Sequence, residues 1–211
     1  MSLIKSVVMR AFGRPTGALG RLGGIIMARM NEGIARRTIE LLDVQPTDHV
    51  REIGFGPGVG IQLLARAASS GRVAGIDPSE EMLAQAKARN MNAMATGRVE
   101  LQRGSVESLP FEDSTFDKVL AINSMQVWPD AVTGLCEIGR ILKPGGKVVL
   151  GFTRWSGQAQ DGLTETLMTA GFSDVHVVNL DGDFCARGQT VTEATKDAIE
   201  LFPLSLWERA G

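Results

Sequence analysis

Between Glu52 and Gly60 the chain reads Glu-Ile-Gly-Phe-Gly-Pro-Gly-Val-Gly, with glycines at 54, 56, 58 and 60. Glycine is a poor residue for the interior of a helix or strand, but it lets backbone pass where any Cβ would clash. Four of them in seven positions, directly after a short apolar run, suit a turn whose main chain lies against a ligand. A tight turn with no ligand is the blander alternative. The dinucleotide fingerprint G-x-G-x-x-G is not met. Counting from Gly54 puts Val59 at the sixth position, and counting from Gly56 puts Ile61 there. Pro57 stiffens the loop and needs no contact of its own.

The elements around this loop must place it. Residues 49–55 form a short apolar run ending in the glycines, and 60–70 have helical spacing. Residues 71–79 read as a strand that stops at Asp77-Pro78, and 79–95 as a helix with Ser79 as its N-cap and Met82 in its first turn. Strands are expected at 98–104, 116–124 and 147–153, and helices at 131–142 and 160–172, the latter ending at Gly171. Lys143-Pro-Gly-Gly146 is a structural turn. Asp181-Gly182 signals a type I′ hairpin, and a last helix is expected over 192–201. Repeated βα units with nearly continuous apolar strands imply an α/β fold, a doubly wound sheet that is mostly parallel, with one antiparallel strand in a C-terminal hairpin. We expect a single domain over 1–211. Residues 1–47 form an N-terminal helical cover, 48–190 the core sheet and helices, and 191–211 a C-terminal extension.

Composition narrows the class. A length of 211 residues fits one domain with a sizeable core. The net charge of −2 speaks against general affinity for nucleic acid. Cys136 and Cys185 form no CxxC pair, fit a reducing compartment and read as buried small hydrophobes. No metal site is expected. No apolar run is long enough to span a bilayer, and the first residues lack a signal-peptide pattern. The expectation is a cytoplasmic protein, monomeric or homodimeric.

The acidic-x-Gly-x-Gly-x-Gly pattern of Glu52, Gly54, Gly56 and Gly58 resembles motif I of class I S-adenosylmethionine-dependent methyltransferases. Three further stretches match in order. Residues 73–79 look like the family's second strand, with Asp77 at its end. Residues 104–119 look like its "D-A-x-x-LPF-x-x-x-x-FD" stretch, seen in the ubiquinone/menaquinone-biosynthesis type. Residues 137–150 look like its "R-x-LKPGG" passage. The resemblance covers roughly 48–155. It implies a Rossmann-like fold, S-adenosyl-L-methionine as cofactor, and a cofactor site drawn from Glu52, Gly54, Phe55, Gly56, Gly58, Asp77, Pro78, Met82, Ser105, Val106 and Asn123. Asp77 would accept both ribose hydroxyls. Ser105 stands where the family often has an acid that holds the adenine amino group. That task falls to the Ser105 hydroxyl, the Val106 N–H or the Glu107 carboxylate.

The implied activity is in-line methyl transfer to a small molecule: an amine, thiol, phenol or quinol, or carbon acceptor. Residues 123–130 should face the methyl group, with Asn123, Ser124 and Gln126 as polar groups and Met125 and Trp128 as apolar walls; core packing is an equal reading of Trp128. His49 and His176 are badly placed to act as a base, and Asp130 reads as a helix cap, so the catalytic residue stays unassigned. This segment is not the Asn/Asp-Pro-Pro-aromatic type used on DNA bases, so no nucleic-acid partner is expected. Two rivals are a NAD(P)-dependent Rossmann oxidoreductase and a non-catalytic cofactor-binding module. Residues 1–30 are basic, and their glycines, from Gly13 to Gly24, permit hinging. Leu19, Leu22, Ile25, Ile26 and Met27 could wall a pocket. Membrane contact through this segment is the less favoured reading.

Overall fold

The computed structural model describes the backbone of residues 17–192 and the side chains of 27–192. The helix expected over 192–201 and nearly all of the C-terminal extension lie outside the described residues, as do residues 1–16.

The apolar runs pair into one seven-stranded sheet. Its strands are β1 (His49–Ile53), β2 (Arg72–Asp77), β3 (Val99–Arg103), β4 (Phe116–Ile122), β5 (Leu142–Phe152), β6 (Ser173–Leu180) and β7 (Asp183–Gln189). The spatial order is β3-β2-β1-β4-β5-β7-β6. The first five run parallel, and β7 is antiparallel to both β5 and β6. Asp181 and Gly182, at φ 51° and 95°, make the tight turn between the last two. The strand expected at 147–153 starts earlier, at Leu142. Leu142 pairs with Phe116 of β4 and pairing resumes at Lys147 after an irregularity, so residues 143–146, expected as a separate turn, lie within β5 as a bulge, with Gly145 at φ 74°.

The helices are α1 (Gly17–Leu42), α2 (Val59–Ala67), α3 (Glu80–Ala95), α4 (Ala131–Ile141) and α5 (Leu163–Thr169). On one face α1 and α2 bury Ile34, Leu42, Ile61 and Leu64 against Val50 and Val149 of the sheet, and Ala86 of α3 joins them. On the other face α4 and α5 bury Leu135, Ile138 and Leu167 against Phe116, Val148 and Phe152. Leu135 and Ile138 turn inward at helical spacing, which leaves Cys136 exposed, contrary to its expected burial. Cys185 is buried as expected, 3.5 Å from Thr38 Oγ1.

Of the N-terminal glycines expected to permit hinging, Gly13 lies outside the described residues, and Gly17, Gly20, Gly23 and Gly24 belong to one continuous 26-residue helix. A glycine costs a helix interior about 1 kcal/mol but does not break it. The second half of α1 is docked on the sheet through Ile34, Ala35, Thr38 and Leu42, all nearly inaccessible. Gly151 of β5 leaves the space that Thr38 fills. Strands β1 and β4 are neighbours whose chain connections leave in opposite directions, so a crevice opens at their carboxyl ends.

Candidate active site

That crevice is a cavity of about 340 Å³. The glycine loop between β1 and α2 forms its floor, and the four glycines are there for different reasons. A Cβ on Gly54 would sit 2.5 Å from Ser124 Cβ, and one on Gly58 2.7 Å from Ala86 Cβ. A Cβ on Gly60 would collide with the Glu52 carboxylate. These three let protein pack on protein. Gly56, at φ 50°, differs: the nearest atom to its Cβ would be Met27 Cε at 3.9 Å. Its missing side chain leaves room in the cavity itself.

Two acids face the same space. Glu52 is 2 % exposed and its Oε2 has no partner among the described residues. Burial, with the nearby Asp77 charge, pushes its carboxyl up to about 8, against the opposing pull of the Ile61 N–H. Asp77 accepts the Gly56 N–H at 2.9 Å and the Ser79 N–H at 2.8 Å, so it ties the end of β2 to the glycine loop. Burial raises its pKa despite these two bonds. Ser79 caps α3 by accepting the Met82 N–H at 3.3 Å.

The far wall comes from the end of β4 and from α1. Asn123 takes a left-handed φ of 47°, a conformation asparagine tolerates better than most residues. Its Oδ1 accepts the Thr153 N–H at 2.8 Å, and its Nδ2 donates to Asn31 Oδ1 at 2.9 Å. Met27, Ala28, Asn31 and Ala35 present one side of α1 to the cavity.

Of the residues expected in the site, Glu52, Gly54, Phe55, Gly56, Asp77, Pro78, Met82, Ser105, Val106 and Asn123 line the cavity. Gly58 does not: it starts α2 at φ 81°, packs on α3, and its carbonyl accepts from Asn90 Nδ2 at 3.1 Å. Of the segment after β4, Asn123, Ser124, Val127, Trp128 and Pro129 reach the cavity. Ser124 spends its hydroxyl on Ile53 O at 3.0 Å. Met125 is buried in the core instead, and Gln126 turns its amide to Asn123 O at 2.8 Å. Trp128 satisfies both readings, since it also packs on the core. Asp130 is an exposed cap that accepts the Thr133 N–H at 2.6 Å. His49 lies at the opposite edge against Phe116, with ring centroids 4.6 Å apart, and burial lowers its pKa. His176 pairs with Asp174 at 2.8 Å in the exposed hairpin. Ala28, Asn31 and Ala35 were not foreseen; their only signal is a run of small residues at helical spacing.

Residues 51–150 match the family model of a methyltransferase domain. Over 164 residues the chain is 32 % identical to an uncharacterized methyltransferase, YdaC, of Bacillus subtilis, covering 74 % of this chain and 88 % of that protein. This chain belongs to the class I S-adenosylmethionine-dependent methyltransferases. A demethylmenaquinone methyltransferase of Bacillus cereus is 34 % identical over 129 residues, 61 % of this chain and 54 % of that one. Among solved structures, an S-adenosylmethionine-dependent methyltransferase of Aquifex aeolicus shares the fold with a TM-score of 0.67 and 20 % identity, over 74 % of this chain and 89 % of the other. The nicotinamide reading and the non-catalytic reading are therefore set aside. The cofactor of this methyltransferase is S-adenosyl-L-methionine. The cavity has features that suit that molecule: Gly56 leaves space where a side chain would intrude, and two buried acids line it, Glu52 with an oxygen that has no partner among the described residues. Among the described residues, no helix is long and apolar enough to cross a membrane.

Proposed function

We propose that the enzyme methylates a small molecule by in-line transfer in this cavity. The observation that carries the reading is the convergence of Gly56, Glu52 and Asp77 on one space roofed by α1. S-adenosylmethionine supplies a methyl group already activated by its sulfonium. The chain's own work is to bind, orient and exclude water. Asp77 keeps lone pairs beyond its two backbone bonds and accepts the ribose hydroxyls, with Pro78 and Met82 beside it. Glu52 balances the cofactor's positive charge from beneath Gly54 and Gly56, and Phe55 closes the floor. Val106 and Ser105, or Glu107 two residues on, meet the adenine. Ser105 Oγ accepts the Glu107 N–H at 3.4 Å. Asn123, held on both sides, and Trp128 position the acceptor.

The described cavity lining holds neither histidine nor cysteine. This favours an acceptor that arrives with a usable lone pair: an amine, a thiolate, a phenolate or an acidic carbon. The demethylmenaquinone methyltransferase among the relatives makes quinols the first pool to try. The division into a cover over 1–47, a core over 48–190 and an extension over 191–211 belongs to the same reading, with α1 acting as a fixed roof. The test is transfer of a labelled methyl group from S-adenosylmethionine to pooled quinols, phenols, amines, thiols and lipids. Label in a small-molecule pool, lost in Asp77→Ala, is the expected result. Label only in added protein or nucleic acid would overturn the reading.

A further inference from the structure

Behind the glycine loop lies a second concavity of about 190 Å³, between α1, α2 and α3. It shares Ala28 and Val59 with the cofactor cavity. Four guanidinium groups line it from three helices: Arg29 and Arg36 from α1, Arg66 from α2 and Arg89 from α3. Among the described residues of the lining the one carboxylate, Glu32, bonds to Arg36 at 2.7 Å. Arg89 donates Nε–H to Pro57 O at 2.9 Å. Arg29 and Arg66 bring two more positive charges that no carboxylate of the groove offsets. The whole chain is slightly acidic, so this concentration is local and not a matter of composition.

All four arginines are exposed, so solvent screens part of their mutual repulsion, and an anion seated among them removes the rest. Guanidinium is the side chain best shaped for that anion, because its planar fork donates two parallel N–H bonds to one oxyanion. A carboxylate presents a single edge. A phosphate presents several oxygens and about two charges, and can meet forks arriving from three helices at once. We propose that this groove is an anion site that takes a phosphate group, carried by a soluble phosphorylated compound or by a lipid headgroup. The bound phosphate sits beside the methyl-transfer cavity without entering it, across the wall formed by Ala28 and Val59. A phosphorylated molecule or a membrane surface held there is anchored next to the site.

The test uses the full chain and two probes at an ionic strength of about 0.15 M, where exposed charges farther apart than ~8 Å are screened. One probe is inorganic pyrophosphate, followed by calorimetry. The other is cosedimentation with vesicles containing phosphatidic acid, whose headgroup is a phosphate monoester, against vesicles of phosphatidylcholine alone. The variants are Arg29→Ala/Arg66→Ala and, as a control, Arg187→Ala, which removes an exposed arginine on β7. The native protein should bind at least one anionic probe. The double variant should bind it about tenfold more weakly, as expected on losing hydrogen bonds to a charged group. Arg187→Ala should bind as the native chain does, and S-adenosylmethionine affinity should hold in both variants. A response to pyrophosphate assigns the source as a soluble phosphate; a response to vesicles alone assigns a headgroup. The proposal falls if the native chain binds neither probe, or if Arg187→Ala loses as much as the double variant.

Discussion

At the amino edge of the sheet, Lys118 lies 3.1 Å from Asp48 and donates to Asp43 O. Next to it Asp117 accepts the His49 N–H at 2.8 Å and the Lys143 ammonium at 2.7 Å. At the carboxyl edge, Glu52 and Asp77 are buried at least as deeply, yet no cation of the described chain pairs with either. The pKa values follow. Burial pushes Asp117 up, but its Lys143 and His49 partners more than reverse that, and it ends below the usual range. Glu52 ends far above it. A charge whose partner is in the chain holds the fold together. Glu52 and Asp77 have no such cation, and they line the cavity. Both edges come from the same strands, so the difference belongs to the loops and side chains grafted at each end.

The strongest test of that comparison is at the glycine loop. Gly56→Val should abolish measurable S-adenosylmethionine binding by calorimetry and cost stability only the backbone strain of its left-handed φ, because its side chain meets ligand space and not protein. Gly58→Val should do the reverse. Its side chain runs into Ala86, and overpacking costs about 1–3 kcal/mol of stability beyond the backbone strain. If both variants lose stability and binding equally, the loop is only a turn. A smaller loss is expected for Asp77→Ala, about 1.5–3 kcal/mol of cofactor affinity, or roughly ten- to a hundredfold in Kd. Unchanged affinity in the folded variant would remove Asp77 from the ribose.

The contrast between the edges was half legible in the sequence. Strand order of appearance, the parallel core and the hairpin turn were readable, because apolar runs and Asp-Gly are local signals. The glycine loop was readable as a motif, but not the separate duties within it. Those depend on Ser124, Ala86 and the Glu52 side chain, and only folding brings Ser124 and Ala86 alongside. Asn31 escaped notice for the same reason: it reaches Asn123 across 92 positions. So did Arg51, which lies inaccessible over the Phe111 ring at 3.9 Å, its guanidinium nitrogens without hydrogen-bond partners among the described residues. In sequence it is an ordinary charge within a strand.

Glu52→Gln separates stability from binding at the carboxyl edge. The folded pKa of Glu52 is raised from an ordinary carboxylate value to about 8. The native state therefore holds a proton that the unfolded state releases between about pH 4.5 and 8, and stability falls as pH rises through that window. Glutamine stays neutral throughout. At pH 8 the variant should melt higher by about 2–4 °C, the shift that 1 kcal/mol produces in a chain of this size. It should also bind S-adenosylmethionine about tenfold more weakly, having lost a charge-assisted contact. In the native protein the cationic cofactor favours the carboxylate, so affinity should rise with pH up to about 8, with proton release on binding. Affinity that is flat with pH would separate Glu52 from the cofactor's charge.

Asp117→Asn should give the smallest effect, and one of opposite sign. Asp117 has a lowered folded pKa, so its stabilising contribution is present above the unfolded value, near 4, and is lost as pH falls through the folded one. Lys143 is nearly half exposed, so solvent screens the pair and the contribution is about 1 kcal/mol or less. The variant should lose that much at pH 7, keep native cofactor affinity, and show a shallower loss of stability in acid. Melting curves from pH 3 to pH 9, run beside those of Glu52→Gln, compare the two edges directly: one slope flattens below neutrality at the amino edge, the other above pH 4.5 at the carboxyl edge. If Asp117→Asn weakened S-adenosylmethionine binding as much as Glu52→Gln does, the division of labour between the two edges would be wrong, because a self-satisfied charge cluster has nothing to offer a ligand at the far end of the strands.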